Sequence, residues 1–594
     1  MKPLRTLSSQ PRAQHGAAMM VMLVIMIIGT VAFLITSLSK VTLSLERNKQ
    51  SSDILVQTKD VLIGHMLSGS GGTPGYMMVP DVLSNTEVPR NYDGNWETLC
   101  FDSTLPLATP PYTPLTGDNT NKRCFGRLPW KSLGMSIIAP SENDPTGVMP
   151  WYAFSRNLIS AQDLLGVDLK LNSELLNPRP GLYPWLKVYD MNGTLLSDRV
   201  ALVIIIPGPA LPYQSRPPSP GLTNPDQYLD KISIPPGCVG ALCFRTFKNF
   251  DLSEEFVTGD DRRWISDPGN PGKQIEDPTY QFNDKLLYVT IDELMPLLEK
   301  RIAREVKACL DDYAFAAGNT YHKYPWAAPV TDLTAPLNRS GIFDVRFGRF
   351  PDIANTSTSI GTPTPDDLAL QDKIVALQTA LTKYINGTGS LFTLRNKGDD
   401  LEDFAQGSPY FQSSTEPARA AGLYAENCLG MSCTGTLATK ITTALNAIPG
   451  APDTTMPTDW TAIPSCNDLI NSSYWPDWRD LVFYQIAHEY RPGGTGSSGA
   501  CGACLSISGS GNTNAGTGAY LASVTIAGKM IGTQARTSVA NMQDRNNYLE
   551  GLNPTNKTNI PTSTTYETYK ISDTNYQSIT NDLVICVDGK NNCK

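Results

Sequence analysis

The amino-acid sequence predicts an α+β protein. We expect a long N-terminal helix followed by two tandem α+β modules with antiparallel sheets, the second module with a helical insertion. Three observations support this: an apolar and then amphipathic segment opens the chain, a set of landmarks recurs 320 residues later, and strand-like segments with turn signals lie in each copy. The predicted units are residues 1–16, 17–67, 68–290 and 291–594, with the insertion at about 364–448.

Composition narrows the class of protein. The chain has 594 residues, of which 41% are hydrophobic, so it can form packed cores in several domains. Only 18% are charged, and 47 glycines and 45 prolines indicate many loops, which suits an extracytoplasmic protein. The net charge of −9 without a basic run argues against nucleic acid as a partner. With only four histidines, a histidine-rich metal site is not expected.

The predicted N-terminal helix begins with an uncharged segment. Residues 17–39 are 23 positions without a charge, enough to cross a bilayer core of about 30 Å. The residues before them are basic and contain no acid, so the leader should stay cytoplasmic and the body after Lys40 should be exported. A cleaved signal peptide and a simple membrane anchor are the alternatives.

The helix is expected to continue beyond the apolar segment. From Lys40 to Leu67, apolar and charged residues follow each other at helical spacing, as in a helix with one face on a core. A serine- and glycine-rich stretch that begins at Ser68 ends the pattern. The sequence therefore predicts one helix over residues 17–67.

An internal duplication organises the rest of the chain. A loop motif recurs with an offset of 320 residues and no gap, as Gly208, Gln214 and Arg216 and again as Gly528, Gln534 and Arg536. Residues 125–129 (FGRLP) are echoed by 347–351 (FGRFP), and Asn-Asp at 283–284 by Asn-Asp at 581–582. We expect the glutamine and arginine side chains to hydrogen-bond loop carbonyls and fix strand ends; a ligand site is the alternative.

Strand signals are clear in both copies. Segments 185–188 and 199–206 flank the turn signal Asp-Met-Asn-Gly at 190–193, which predicts a hairpin. The β-branched run that ends at Ile206 should be a central strand buried on both faces. Residues 520–526 take its place in the second module.

Helices are predicted in the second module. One covers 296–316, with Pro296 in its first turn and one apolar stripe. Within the insertion, residues 365–385 form a second helix that begins at a proline, and residues 416–448 also have a helical pattern.

The N-terminus resembles a known leader. A short basic leader ends in Gln-His-Gly16, and Ala17 opens the apolar segment, which is similar to the class III leader of type IV pilins and type II secretion pseudopilins. The resemblance implies cleavage after Gly16 by a prepilin peptidase and methylation of Ala17. It also implies insertion in the inner membrane through one span, with a periplasmic body. Other pilin or pseudopilin subunits would then be its partners in a pilus or a periplasmic pseudopilus.

One position departs from the family pattern. Val21 stands at the fifth position of the mature chain, where these proteins usually have a glutamate. Because certain minor subunits lack that glutamate, the resemblance implies a minor structural subunit at the tip or in an accessory position. Its body would carry any adhesive surface, most plausibly on the second module, and the surface ligand is unknown.

The sequence does not favour an enzyme. It has no G-x-S-x-G, H-E-x-x-H or P-loop motif, and His322 and His488 are expected to be structural. We therefore predict no catalytic residues, no metal and no cofactor. The alternative is a membrane-anchored periplasmic or surface hydrolase or binding protein.

The twelve cysteines predict disulfides in an exported chain. Close spacing suggests local pairs, namely Cys100–Cys124, Cys238–Cys243, Cys428–Cys433 and Cys586–Cys593. The pairing of Cys309, Cys466, Cys501 and Cys504 stays open. The C-x-x-C spacing of the last two favours a structural disulfide, with a redox or metal site as alternatives.

Overall fold

The fold is known from a computed structural model. It describes residues 22–24, 26–27, 48–69, 73–81, 94–96, 124–135, 149–158, 170–177, 184–191, 193–211, 213–214, 225–233, 246–250, 254–259, 262–267, 269–333, 339–358, 365–407, 415–448, 450, 452–494, 504–508, 520–551, 553, 565–567 and 581–587. Several predicted sites lie outside these residues, namely Gly16, Ala17, Val21, Cys100, Arg216, Cys238, Cys243, Cys501 and Cys593.

The chain is a mixed α+β protein, as predicted. The helices are α1 (48–68), α2 (Ile291–Ala314), α3 (Pro365–Ile385), α4 (Leu391–Gly407), α5 (Thr415–Glu426), α6 (Thr434–Ala447), α7 (Pro464–Ile470), α8 (Trp475–Trp478) and α9 (Val539–Met542). The strands are β1 (Cys124–Arg127), β2 (Trp151–Phe154), β3 (Leu186–Asp190), β4 (Leu195–Ile206), β5 (Lys231–Ser233), β6 (Thr246–Lys248), β7 (Glu255–Thr258), β8 (Arg262–Asp267), β9 (Asn270–Gln281), β10 (Lys285–Thr290), β11 (Phe347–Arg349), β12 (Val482–Ile486), β13 (Ser506–Ser508), β14 (Ala522–Ile526), β15 (Thr565–Glu567) and β16 (Leu583–Val587).

Two larger sheets repeat the same strand pairing. In the first sheet β1, β2 and β4 are successive antiparallel neighbours, and β10 pairs with β4 on its other side. In the second, β11, β12, β14 and β16 follow in the same antiparallel order. The first sheet also contains β3, which forms the predicted hairpin with β4, and β7, which is parallel to β3. The duplication in the sequence is therefore also a duplication of strand topology.

The two sheets share one hydrophobic core. Buried residues of α1 and α2 lie in the same cluster as the inner faces of both sheets, for example Leu62, Ile204, Ile302 and Val524. Helix α2 contacts β4 and β10 of the first sheet and β14 and β16 of the second. The helices thus lie between the sheets, and each sheet buries one face on them.

Helix α2 begins earlier than the sequence predicts. It starts at Ile291, directly after β10, because the Thr290 side chain accepts the N–H of Glu293 and caps it. Pro296 lies inside the helix and is buried, so its placement in the first turn is wrong. Its ring removes the hydrogen bond to the carbonyl of Asp292, a cost that its packing in the core offsets.

The insertion is a bundle of four helices with its own core. Helix α3 has the predicted bounds, and the predicted helical stretch 416–448 is two helices, α5 and α6, separated by a turn at Gly430. Helix α4 is not predicted by the sequence. Its Gly398 allows close approach to α5, where an added Cβ would lie 2.8 Å from the carbonyl oxygen of Gly422.

The N-terminal helix is described only in part. Residues 22–24, 26–27 and 48–68 are helical, and the residues between them lie outside the described ones. In the described part of the chain, we find no helix that combines the length and the apolar character needed to cross a bilayer.

Candidate functional site

The repeated loop motif forms a hydrogen-bonded clamp in the first module. The Gln214 side chain accepts the N–H of Leu211 at 3.0 Å and donates to the Leu229 carbonyl at 3.2 Å and to Asp230 at 2.9 Å. Asp230 in turn accepts the N–H groups of Asn283 and Asp284 at 2.6 and 2.8 Å. The loop after β4 is thereby fixed to the residues just before β10.

The second module contains the same clamp at the same offset. Gln534 accepts the N–H of Ile531 at 2.9 Å and donates to the Leu549 carbonyl at 3.5 Å and to Glu550 at 2.7 Å. Glu550 accepts the N–H of Asn581 at 3.2 Å. The Glu550 N–H donates to Asp582 at 3.0 Å, as the Asp230 N–H does to Asp284 at 2.8 Å.

Each clamp has a glycine packed against an asparagine. A Cβ on Gly208 would lie 2.4 Å from the Asn283 side chain, and one on Gly528 would lie 2.5 Å from that of Asn581. The amide nitrogen of Asn581 donates to the Lys529 carbonyl at 2.8 Å, and that of Asn283 to the equivalent carbonyl of Pro209 at 2.7 Å. Only glycine leaves room for an amide at this point.

Arginines stack on aromatic rings beside the clamps. The Arg127 guanidinium lies 5.1 and 4.9 Å from the ring centres of Trp151 and Tyr228. Arg349, at the equivalent position, lies 5.3 Å from the ring of Phe483 and 4.7 Å from that of Tyr548. These contacts explain why the FGR segment and the tyrosine recur together.

Arg536 completes the second clamp. Its guanidinium donates to the carbonyls of Asn547 at 2.7 Å and Gly528 at 3.0 Å and lies 4.5 Å from the Tyr548 ring centre. It is nearly fully buried, and burial lowers its pKa despite the neighbouring carboxylate of Glu174. The prediction that Gln214, Gln534 and Arg536 bond loop carbonyls is confirmed.

Two carboxyl groups meet in the second clamp. Burial raises the pKa of Asp582 well above its ordinary value, and the neighbouring Glu550 raises it further. Burial also raises the pKa of Glu550. Asp582 accepts the amide of Asn553 at 2.7 Å, so the pair is embedded in polar contacts that belong to the loop itself.

The clamps act as structural devices in this geometry. Their carboxylates and amides are bonded to neighbouring backbone groups, which consumes the polar atoms that a ligand would need. Within the described residues, no group of three or more histidine, cysteine or acidic side chains is arranged to hold a metal ion. Among the alternatives for the repeated motif, the geometry favours strand fixation over a shared ligand site.

The two histidines of the body lie in different surroundings. His322 has a positive φ of 54°, lies with its Nδ1 2.8 Å from the Ala314 carbonyl and stacks on Phe315 at 4.3 Å. It therefore closes the end of α2. His488 follows β12 on the surface, and burial, together with the charges of Arg491 and Arg346, lowers its pKa.

Buried ion pairs connect distant segments. Lys323 and Asp453 are 2.7 Å apart and almost fully buried. Burial raises the pKa of Asp453, but the charge of Lys323 outweighs it and the net shift is downward. Asp480 likewise lies 2.7 Å from Arg339 and 3.2 Å from Lys170, a first-module residue, which links the modules.

Cysteine pairs are present at two described places. Cys428 and Cys433 are bonded, as the spacing predicts, and Cys309 of α2 is bonded to Cys466 of α7, a pair that the sequence left open. Cys504 and Cys586 are also disulfide-bonded. Their predicted partners lie outside the described residues, so those pairings stay predictions, as do the pairs that contain Cys124, Cys238 and Cys243.

The sequence identified the repeated residues but not all of their contacts. Asp230, Asp284, Glu550 and Asp582 belong to the same repeated landmarks, and their spacing could have indicated that they meet the glutamines. No protein-family model, curated protein or solved structure matches this chain.

Proposed function

We propose that the chain is a minor subunit, similar to pilins or pseudopilins, of a type IV pilus or a type II secretion-type filament. It would have a structural role at the tip or in an accessory position and no catalytic activity. The observation that carries the proposal is the N-terminal sequence, in which a basic leader ends at Gly16 and an uncharged segment follows from Ala17.

The architecture is compatible with that role. A filament subunit of this kind needs a helix whose first half lies in the membrane or filament and whose second half packs on a sheet. Residues 48–68 form such a second half, since Ile54, Leu62 and Met66 are buried in the core between the sheets. The duplicated helix-and-sheet unit then gives a body much larger than one such module.

The position in the filament follows from size and charge. A large double body would crowd its neighbours if subunits packed helix against helix along a shaft. Val21 also lacks the carboxylate that would neutralise a neighbouring terminal amine, and an unpaired charge in an apolar filament core is costly. A subunit at the tip has no subunit ahead of it, so neither problem arises there.

The N-terminus of the mature protein tests the proposal. Mass analysis of the chain from its native membrane should give a mature form that begins at methylated Ala17. An intact Met1, or cleavage near residue 40, would refute the filament role and favour the alternative of an anchored periplasmic or surface binding protein or hydrolase. Immunogold labelling of sheared filaments then distinguishes tip from shaft. Label at the ends is expected, and regular decoration along the shaft would contradict a tip role.

A further inference from the structure

The far end of the inserted bundle exposes large apolar side chains. The chain enters the bundle at Pro365 and leaves it after Ala447, so the α3–α4 turn at 386–390 and the α5–α6 turn at 427–433 lie together at the opposite end. The Arg395 side chain of α4 donates to the Cys428 carbonyl at 2.8 Å and joins the two turns. We call this end, residues 383–397 and 426–440, the bundle tip.

Four side chains of the bundle tip are strongly exposed. Ile385 is 47% exposed, Phe392 73%, Leu429 85% and Met431 55%. Leu429 and Met431 belong to the turn closed by the disulfide between Cys428 and Cys433, so they are held at the surface by a covalent loop. Exposed apolar groups gathered at one point of a surface mark a contact site more often than isolated ones do.

The charges around the tip have one predominant sign. In the two helical turns nearest the tip, the basic residues are Lys383, Arg395, Lys397 and Lys440, and the one acidic residue is Glu426. Lys397 also pairs with Asp400, one turn farther from the tip, at 2.5 Å. The chain as a whole has a net charge of −9, so this basic collar is a local departure from its general character.

We propose that the bundle tip binds the surface of an anionic lipid bilayer. Apolar side chains that project from a convex end, with basic groups around them, suit insertion between lipid headgroups and attraction to their negative charge. A stable protein interface needs about 800 Å² from each partner, more than four side chains on two turns supply. The inference does not rest on the filament role, because lipid binding is measured on the body directly.

Vesicle flotation tests the proposal on the full chain. The chain is kept in solution with an amphipathic polymer, so that the apolar segment at residues 17–39 stays covered. It is then mixed with vesicles of phosphatidylcholine and phosphatidylglycerol or of phosphatidylcholine alone. We expect binding to the anionic vesicles that weakens with added salt, because salt screens the basic collar.

Matched variants locate the contact. Replacing Phe392, Leu429 and Met431 by serine should lower the partition onto anionic vesicles by at least about tenfold. Leu368 and Val539 are 49% and 64% exposed and lie away from the tip, so Leu368→Ser with Val539→Ser should bind as the parent does. All changes are at exposed positions, and far-ultraviolet circular dichroism checks that each variant is folded.

Three outcomes would overturn the proposal. One is equal flotation of the tip variant and the parent, which would assign binding to another part of the chain. Another is equal loss in the control variant. The last is failure of the parent to bind anionic vesicles, which would leave the bundle tip to a protein partner. None of these results depends on where the N-terminus is cleaved, so they are distinct from failure of the proposed function.

Discussion

The contact between Gly528 and Asn581 gives a quantitative test of the second clamp. In Gly528→Ala the new Cβ would lie 2.5 Å from the Asn581 side chain, and ordinary contact begins at 3.4 Å. The amide must therefore move by nearly an ångström, which breaks its 2.8 Å hydrogen bond to the Lys529 carbonyl. A strained contact costs about 1–3 kcal/mol, and an unsatisfied buried polar group costs a similar amount. We expect a total loss of about 3 kcal/mol in the free energy of unfolding.

A double-mutant cycle separates the clash from other effects. Asn581→Ala alone should cost about 1–2 kcal/mol through the lost hydrogen bond. The double variant should be no less stable than Asn581→Ala, because the alanine methyl fills the space that the amide leaves. The coupling should therefore be about 2–3 kcal/mol in favour of the double variant. Urea unfolding followed by tryptophan fluorescence measures it.

The first module supplies the matched comparison. A Cβ on Gly208 would lie 2.4 Å from the Asn283 side chain and also 2.6 Å from its backbone carbonyl oxygen. Removing the Asn283 side chain cannot relieve the second contact, so Gly208→Ala with Asn283→Ala should stay strongly destabilised. Strict additivity in the second module, or equal rescue in both modules, would refute the reasoning.

Two further predictions concern charged groups. Burial and Glu550 raise the pKa of Asp582, so the folded state favours its protonated form and loses stability as pH rises; Asp582→Asn should flatten that loss in thermal unfolding between about pH 3 and pH 9. Burial raises the pKa of Asp480, but Lys170 and Arg339 outweigh it and lower the pKa; Asp480→Asn should instead remove a loss on acidification below about pH 4, and an unchanged acid limb would contradict this. Arg349 donates to the carbonyls of Val330, Asp480 and Met542, so Arg349→Lys should cost about 2–4 kcal/mol in urea unfolding, whereas Arg419→Lys on the bundle surface should leave the midpoint unchanged.

Periodicity predicted the regular elements but not their partners. The strand that ends at Ile206 and helix α3 have the expected bounds, because a β-branched run and a proline-initiated stripe are strong local signals. Helix α4 was missed. Its buried positions include Leu394 and Leu401, and the charged and glycine residues between them weaken the stripe. Its stability comes from packing against α5, which a local pattern does not contain.

The candidate site shows the same division. The offset of 320 residues identified Gln214, Gln534 and Arg536, and the expectation that they bond loop carbonyls is confirmed. The sequence did not connect them to the acidic residues that follow each tyrosine. Hydrogen bonds across 15 and 16 residues, such as Gln534 to Leu549 and Glu550, depend on how the loop folds back, which composition and spacing do not specify.

Helix α2 explains why the two modules are not independent. The sequence predicted one apolar stripe, but the structure also buries Met295, Glu299 and Ala303, so that more than one face of the helix is covered. Glu299 is tolerated inside because it accepts the Ser173 hydroxyl of the first module at 2.7 Å. A helix between two sheets must match both, and each sheet loses its cover without it. The duplication has therefore produced one core with two sheets, in which the repeated clamps fix equivalent loops on opposite sides of shared helices.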